Sequence, residues 1–254
     1  MNLSMLFTEV PFLERFEQAR RAGFEAVEFW FPYREDVGAI ARELRRLGLT
    51  LVLFNLDAGD FEAGERGYAC DPARRRQFRE SVALGISVAQ ALGCRQLNVL
   101  VGNTVPEVPR CDQHAVLVEN LREAAREVGR FGITLLFEAL NPFDASNYFL
   151  HTSKDAFALL REVGEPNLRF QYDVYHMQRS EGNLTPTITR NLDKIGHIQI
   201  ADAPHRTEPG TGEINFRYLL RQIEISGYTG YVSAEYRPER PSWESFGWVR
   251  EVVP

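Results

Sequence analysis

One local pattern recurs along the chain and restricts what it can fold into. An amphipathic segment ends in glycine, and a short apolar or β-branched run follows. The pattern stands at Ala22-Gly23-Phe24, Leu47-Gly48-Leu49, Leu92-Gly93-Cys94 and Phe131-Gly132-Ile133, with weaker copies at Val163-Gly164 and Ser226-Gly227. Glycine just past a helix end takes the left-handed cap without a Cβ clash. The apolar run behind it reads as a parallel strand buried on both faces. Strands are predicted at Asn2–Phe7, Ala26–Phe29, Leu51–Asn55, Gln96–Leu100, Thr134–Glu138, Leu168–Tyr172, His197–Ile200 and Tyr231–Glu235. Helices are predicted at Phe12–Ala22, Asp36–Leu47, Ala73–Leu92, Gln113–Phe131, Lys154–Val163 and Phe216–Ser226. The helix after Tyr172 is the least clear, and its best candidate is the short, Thr-rich Thr185–Leu192.

About eight βα units in a chain of 254 residues predict the α/β class, a (β/α)8 TIM barrel forming a single domain over 1–254. The alternative is a doubly wound open sheet. No GxGxxG follows the first strand, which disfavours the dinucleotide-binding form of that fold. No linker rich in Pro, Gly or Ser divides the chain. The long loop from Asp57 to Asp71, with Gly59, Gly64 and Gly67, reads as a cover over a site.

Ionisable residues in strands buried on both faces need a reason to be there. Glu138 ends Thr134-Leu135-Leu136-Phe137, Asp173 follows Leu168 to Tyr172, Gln199 lies in His197-Ile198-Gln199-Ile200, and Glu235 ends Tyr231 to Ala234. They are 35, 26 and 36 residues apart, each about one βα unit. Four side chains from consecutive strand ends therefore meet in one quadrant of the barrel mouth, where this fold places its active sites. Three crowded carboxylates repel unless a cation joins them. The oxygen-rich set suits Mg2+ or Mn2+ better than a thiolate-seeking metal, with Gln199 coordinating through its amide oxygen.

Other polar residues group near these ends. His176 lies three residues after Asp173 and within reach of a substrate held there. His197 shares the parity of Gln199 one layer deeper and reads as a hydrogen-bonded core histidine. Arg206 follows the seventh predicted strand, and its bidentate fork suits a carboxylate or hydroxyl-rich substrate. Arg66, on the long loop, competes for that role from the other side. Glu208 to Asn215 forms a turn-rich loop in which Asn215 is a plausible N-cap. His114, His151, Trp30, Trp243 and Trp248 carry no supporting pattern and are expected in ordinary core or rim positions.

Composition excludes several classes. The formal net charge is −6, and Arg residues sit beside Glu along helical segments such as Ala41 to Arg46, so long nucleic acid is not expected as a partner. Cys70, Cys94 and Cys111 lack metal-ligand spacing, which argues against a disulfide framework and for a reducing cytoplasm. No signal peptide or membrane-spanning run is read, so no membrane partner is expected. The expected partner is a small molecule, which the resemblance described next narrows to a keto-acid or sugar, and assembly into a homo-oligomer is left open.

At these residues the chain resembles the hydroxypyruvate isomerase family within the xylose-isomerase-like barrels. The carrying motifs are Phe31-Pro32-Tyr33, Phe54-Asn55-Leu56 with Ala58-Gly59-Asp60, Ala63-Gly64-Glu65-Arg66-Gly67, Leu97-Asn98, Gly102-Asn103, Phe170 to His176 and Pro209 to Asn215. The resemblance runs from about Asn2 to Trp248. It implies a divalent metal on Glu138, Asp173, Gln199 and Glu235, with Gln199 standing where the related epimerases use His. It implies Glu138 and Glu235 as the acid/base pair and His176 as a contact to substrate hydroxyls. Asp144 lies near another substrate-contacting position and is given no role. The implied reaction interconverts hydroxypyruvate and tartronate semialdehyde through an enediolate. Proton transfer against hydride shift stays open, as does a 2-oxo-tetronate or a ketose as substrate. A sugar-binding barrel without catalysis is the reading from another class.

Overall fold

All six glycines of the recurring pattern have positive φ at or just past helix ends in the computed structural model, which describes residues 1–252. Seven strands follow one another around a single sheet: β1 (Ala26–Phe29), β2 (Thr50–Asn55), β3 (Gln96–Val99), β4 (Thr134–Glu138), β5 (Leu168–Asp173), β6 (Ile195–Ile200) and β7 (Val232–Ala234). Every neighbouring pair is parallel. The helices are α1 (Phe12–Arg21), α2 (Val37–Leu47), α3 (Arg75–Leu92), α4 (Arg110–Gly129), α5 (Ser153–Val163), α6 (Val174–Ser180), α7 (Leu184–Arg190), α8 (Phe216–Ile225) and α9 (Val249–Val252). The architecture is a TIM barrel, nearly closed by its strands. No helix of the described residues is long and apolar enough to cross a membrane.

The eighth stave differs from the prediction of a strand at Asn2–Phe7. The extended pairing stops after Leu3. Asn2 N donates to Ala234 O at 2.9 Å, Leu3 N to Glu28 O at 2.8 Å and Glu28 N to Met1 O at 2.9 Å, so this short piece bridges β7 and β1. Beyond it Leu6 N turns back to Asn2 O, and Phe7 takes φ 58. The apolar residues of 3–7 are buried, which is why they read as a strand, but they pack a turn into the core. α6 was not expected either. Asp173 ends β5 and caps α6 at once, because its Oδ1 accepts from Tyr175 N at 2.8 Å and His176 N at 3.1 Å. The Thr-rich helix runs over Leu184–Arg190, and a 3-10 turn at Pro72–Arg74 precedes α3.

The main apolar core lies between strands and helices and includes Phe16, Phe29, Phe54, Phe137 and Phe170, all essentially buried. Inside the barrel a separate small cluster of Val52, Leu53 and Leu136 forms an apolar floor. Leu136 is two residues before Glu138 and so on the same strand face. Above that floor the interior turns polar, with buried Asn98, Gln171 and His197 beneath the strand ends.

The loop from Asp57 to Asp71 is pinned to the barrel rim at Gly67. Gly67 N donates to Ala58 O at 2.9 Å, its φ is 98, and a Cβ there would strike the Leu100 carbonyl. Gly48, the cap of α2, has φ 62 with open space around it. Gly48→Ala is therefore expected to lose only the left-handed backbone penalty, about 1 kcal/mol. Gly67→Ala adds a backbone clash and should lose more, about 2–4 kcal/mol. Urea unfolding of both variants checks the order; equal losses would mean the loop yields freely at Gly67.

Candidate active site

Each strand end contributes through the register of the sheet. Asp173 pairs with Gln199 across β5 and β6, Glu138 pairs with Gln171, and Glu235 N donates to Ile200 O at 3.0 Å. Glu138, Asp173, Gln199 and Glu235 are all buried. Asn98 Nδ2 holds Glu138 Oε1 at 2.7 Å. The α6 backbone holds Asp173 Oδ1. Asn2 Nδ2 and Trp30 Nε1 each donate to Glu235 Oε1 at 2.7 Å. Arg206 Nη2 then joins two of the carboxylates, at 3.1 Å from Asp173 Oδ2 and 2.7 Å from Glu235 Oε2.

Electrostatics follows from burial and crowding. Burial, reinforced by Asp173, pushes Glu138 up to about 7, and Asn98 and Arg206 do not offset it. Burial raises Asp173 above the usual carboxylate range despite Arg206 and the α6 amides. Glu235 is raised well above it by burial and by Asp173, Glu28 and Glu138, with Arg206 opposing. Burial alone would lower Arg206, but Glu235, Asp173 and Glu138 raise it further. Three carboxylates here cannot all ionise on the strength of one guanidinium.

Gln199 is fixed from below. Its Nε2 donates to Glu28 Oε1 at 2.7 Å, so its amide oxygen faces the other way and accepts from Gln171 Nε2 at 2.9 Å. Glu28 Oε1 also accepts from Asn2 Nδ2 at 3.1 Å, and Glu28 Oε2 lies 2.6 Å from His197 Nε2. Burial would raise Glu28, but the charge and hydrogen bond of His197 outweigh it and lower the carboxyl to about 2.

His176 is buried with Nδ1 accepting from Asn141 N at 3.1 Å and facing Asn141 Nδ2 at 2.8 Å. Burial, with Arg206 and Arg179 nearby, holds its pKa well below the normal value. A neutral ring accepting at Nδ1 carries its proton on Nε2, which lies 3.7 Å from Asp173 Oδ2. Ligating atoms of Glu138, Asp173 and His176 fall within 4.8 Å of one another, so this buried trio could hold a metal ion. With His176 Nε2 protonated, the oxygens fit a hard cation better than the ring does.

The mouth is a cavity of about 450 Å3 whose wall includes Glu138, His176, Arg206, Glu235 and Arg66, while Asp173 and Gln199 lie beneath that wall. Arg66 comes from the long loop. Its Nη1 donates to Phe61 O at 2.8 Å and Glu65 O at 2.7 Å, and its Cζ stacks 3.8 Å from the Phe61 ring centroid. Among the described residues it has no acidic partner, unlike Arg206. Asp144 also lines the wall and accepts from Tyr175 Oη at 2.8 Å. His114 pairs with Glu162 on the surface, and His151 Nδ1 lies 2.7 Å from Leu140 O.

Several site residues escaped the sequence reading. Glu28 is a carboxylate within a barrel strand, and the rule applied to the later strands would have found it. Trp30, expected as rim packing, holds Glu235. Asn2 and Asp202 carried no signal. Asp202 accepts from Gly210 N, Gly212 N, Ala203 N and Ile214 N and so organises the loop that carries Arg206.

Comparison with known proteins agrees with this architecture. The model of the xylose isomerase-like TIM barrel family matches residues 16–252. The chain is 50% identical to the hydroxypyruvate isomerase of Escherichia coli over 248 residues, 98% of this chain and 96% of that protein. It is 39% identical to the 2-oxo-tetronate isomerase of Cupriavidus necator, over 99% of this chain and 97% of that one. A crystal structure from Brucella melitensis, described as an AP endonuclease of family 2, is 42% identical with TM-score 0.95, covering 98% of this chain and 96% of that one. An L-ribulose 3-epimerase structure is 26% identical with TM-score 0.78, over 100% of this chain and 86% of the other. The chain belongs to the xylose isomerase-like TIM-barrel family.

Proposed function

We propose that this isomerase interconverts hydroxypyruvate and tartronate semialdehyde by acid/base proton transfer through an enediolate, with one divalent cation, Mg2+ or Mn2+, on Glu138, Asp173, Gln199 and Glu235. The observation that carries the reading is the gathering of three buried carboxylates, Glu138, Asp173 and Glu235, around Arg206 at strand ends, with Gln199 beside Asp173 in the sheet. Near-full-length likeness to the Escherichia coli hydroxypyruvate isomerase supports the substrate. The cation would supply Lewis-acid polarisation of the substrate's oxygens when bound.

The chain's own residues do the rest. Glu138 and Glu235 flank the substrate from nonadjacent strands and move the proton between neighbouring carbons. Burial and the neighbouring Asp173 raise the Glu138 carboxyl, and a bound cation would pull it back toward the ionised form that accepts a proton. His176 offers its Nε2–H to a substrate oxygen. Trp30 and Asn2 hold Glu235 through one oxygen and turn the other, which Arg206 Nη2 meets, toward the mouth. The nuclease chemistry suggested by the Brucella melitensis structure's name is disfavoured. It calls for several histidines around several metals, and the acidic cluster among the described residues includes one.

The substrate's carboxylate needs a cation of its own. Arg66 is the first reader, because it reaches the mouth without an ion pair and is preset by the Phe61 ring and two carbonyls. Arg206 stands second, since Asp173 and Glu235 already engage it. A 2-oxo-tetronate is the second reading for the substrate. It is favoured by a cavity of about 450 Å3, roomier than a three-carbon acid requires, and by the 39% identical relative.

Three outcomes are expected. Assayed with Mg2+ or Mn2+ in deuterium oxide, hydroxypyruvate should turn over fastest among hydroxypyruvate, 2-oxo-tetronates and ketoses, and its product should carry solvent deuterium. A faster four-carbon acid would move the assignment to the second reading, and product without deuterium would indicate a hydride shift. Glu138→Gln and Glu235→Gln should each lower kcat by at least about 10²-fold, the scale of general acid/base catalysis. Near-normal turnover with metal bound would remove that residue from proton transfer. Arg66→Ala should weaken kcat/KM for an acid over a neutral ketose by about 1.5–3 kcal/mol, the scale of a charged hydrogen bond. Arg206→Ala should weaken both alike, and a selective loss there would exchange the two arginines' roles.

A further inference from the structure

Arg206 sits on two oxygens that a cation in this site would also need. Asp173 Oδ1 is taken up by the α6 amides and Glu235 Oε1 by Asn2 and Trp30, so Oδ2 and Oε2 are the atoms turned inward. Arg206 Nη2 lies on both, at 3.1 and 2.7 Å. A guanidinium and a divalent ion within a few Å repel strongly in a site of low dielectric.

The placement of Arg206 is built. Its side chain is 14% exposed. Its backbone is left-handed, with φ 60, a conformation that costs a bulky residue about 1–3 kcal/mol and persists only where the surroundings impose it. The surroundings do so here. Arg206 N donates to Asp202 O at 2.9 Å, Arg237 N donates to Arg206 O at 2.8 Å, and the Asp202 carboxylate gathers four amides of the same loop. The guanidinium also has somewhere else to go. Its Nε is buried without a partner, and its Cζ lies 5.2 Å from the Tyr175 ring centroid, on the side of the open mouth.

We propose that Arg206 is the resident counter-ion of this site and competes with the divalent cation for Asp173 Oδ2 and Glu235 Oε2, so that it sets how loosely, and therefore how reversibly, metal is held. The inference rests on the metal reading above. Without Arg206, the crowded carboxylates would gain more from a divalent ion and suffer more in its absence. With Arg206, Asp173 Oδ2 and Glu235 Oε2 keep a positive partner without metal, and uptake becomes an exchange of one cation for another at those two oxygens.

Mn2+ binding, followed by the electron paramagnetic resonance of the free ion, tests this on the wild type, Arg206→Met and Arg206→Lys. Arg206→Met should bind Mn2+ at least about tenfold more tightly, the scale of one partly buried charge pair. It should also melt below the wild type in chelator and gain more from added Mn2+. Arg206→Lys should fall between. Equal or weaker binding by Arg206→Met would overturn the competition and make Arg206 a buttress of its two carboxylates. No Mn2+ binding by any of the three proteins would overturn the metal reading itself. If Arg206→Met does not fold, the wild type decides. The Arg206 15Nε resonance, identified by its loss in Arg206→Lys, should shift on Mg2+ saturation, and a resonance that does not move while Mg2+ binds overturns the proposal.

Discussion

Carboxylates at the ends of β4, β5 and just past β7 crowd together in buried positions, and they stay ionised there only where positive charge joins them. Most of the mouth is arranged around that condition. Anchors from outside take one oxygen each of Glu138, Asp173 and Glu235, and so decide which way the remaining charge faces. Arg206 supplies one unit of charge from a loop that Asp202 organises through four backbone amides. Burial, with Arg206 and Arg179 beside it, keeps His176 neutral, and the ring becomes a donor.

A second layer makes the first one specific. Glu28 faces two amides, the Nδ2 of Asn2 and the Nε2 of Gln199, and meets His197 at its far oxygen. An amide side chain can point either end at a site, and only the oxygen end is useful to a cation. Glu28 removes that ambiguity by accepting from the nitrogen. The layer beneath the mouth thus fixes the Gln199 amide, its nitrogen toward Glu28 and its oxygen toward Gln171.

The sequence carried the barrel well because the helix caps repeat, and Gly48, Gly93 and Gly164 take the left-handed caps that the pattern implies. It also carried the later strand ends, since Glu138, Asp173, Gln199 and Glu235 recur at the spacing of one βα unit. What it did not carry lies where spacing has no meaning. Asn2 and Trp30 reach Glu235 from 233 and 205 positions away. A pattern of apolar residues cannot tell a stave from a buried turn, so Leu3 to Phe7 read as strand. α6 was missed because a single residue, Asp173, is both strand end and helix cap, and seven residues of helix leave little periodicity.

The bridge made by Asn2 has a kinetic meaning. The last stave of the barrel closes when the first residues meet Ala234, and the same asparagine then grips Glu28 and Glu235 together. Such a contact spans almost the whole chain, so its loop entropy falls late in folding. The contact that closes the barrel thus also anchors Glu235, so the last carboxylate of the site is fixed by the first residues of the chain.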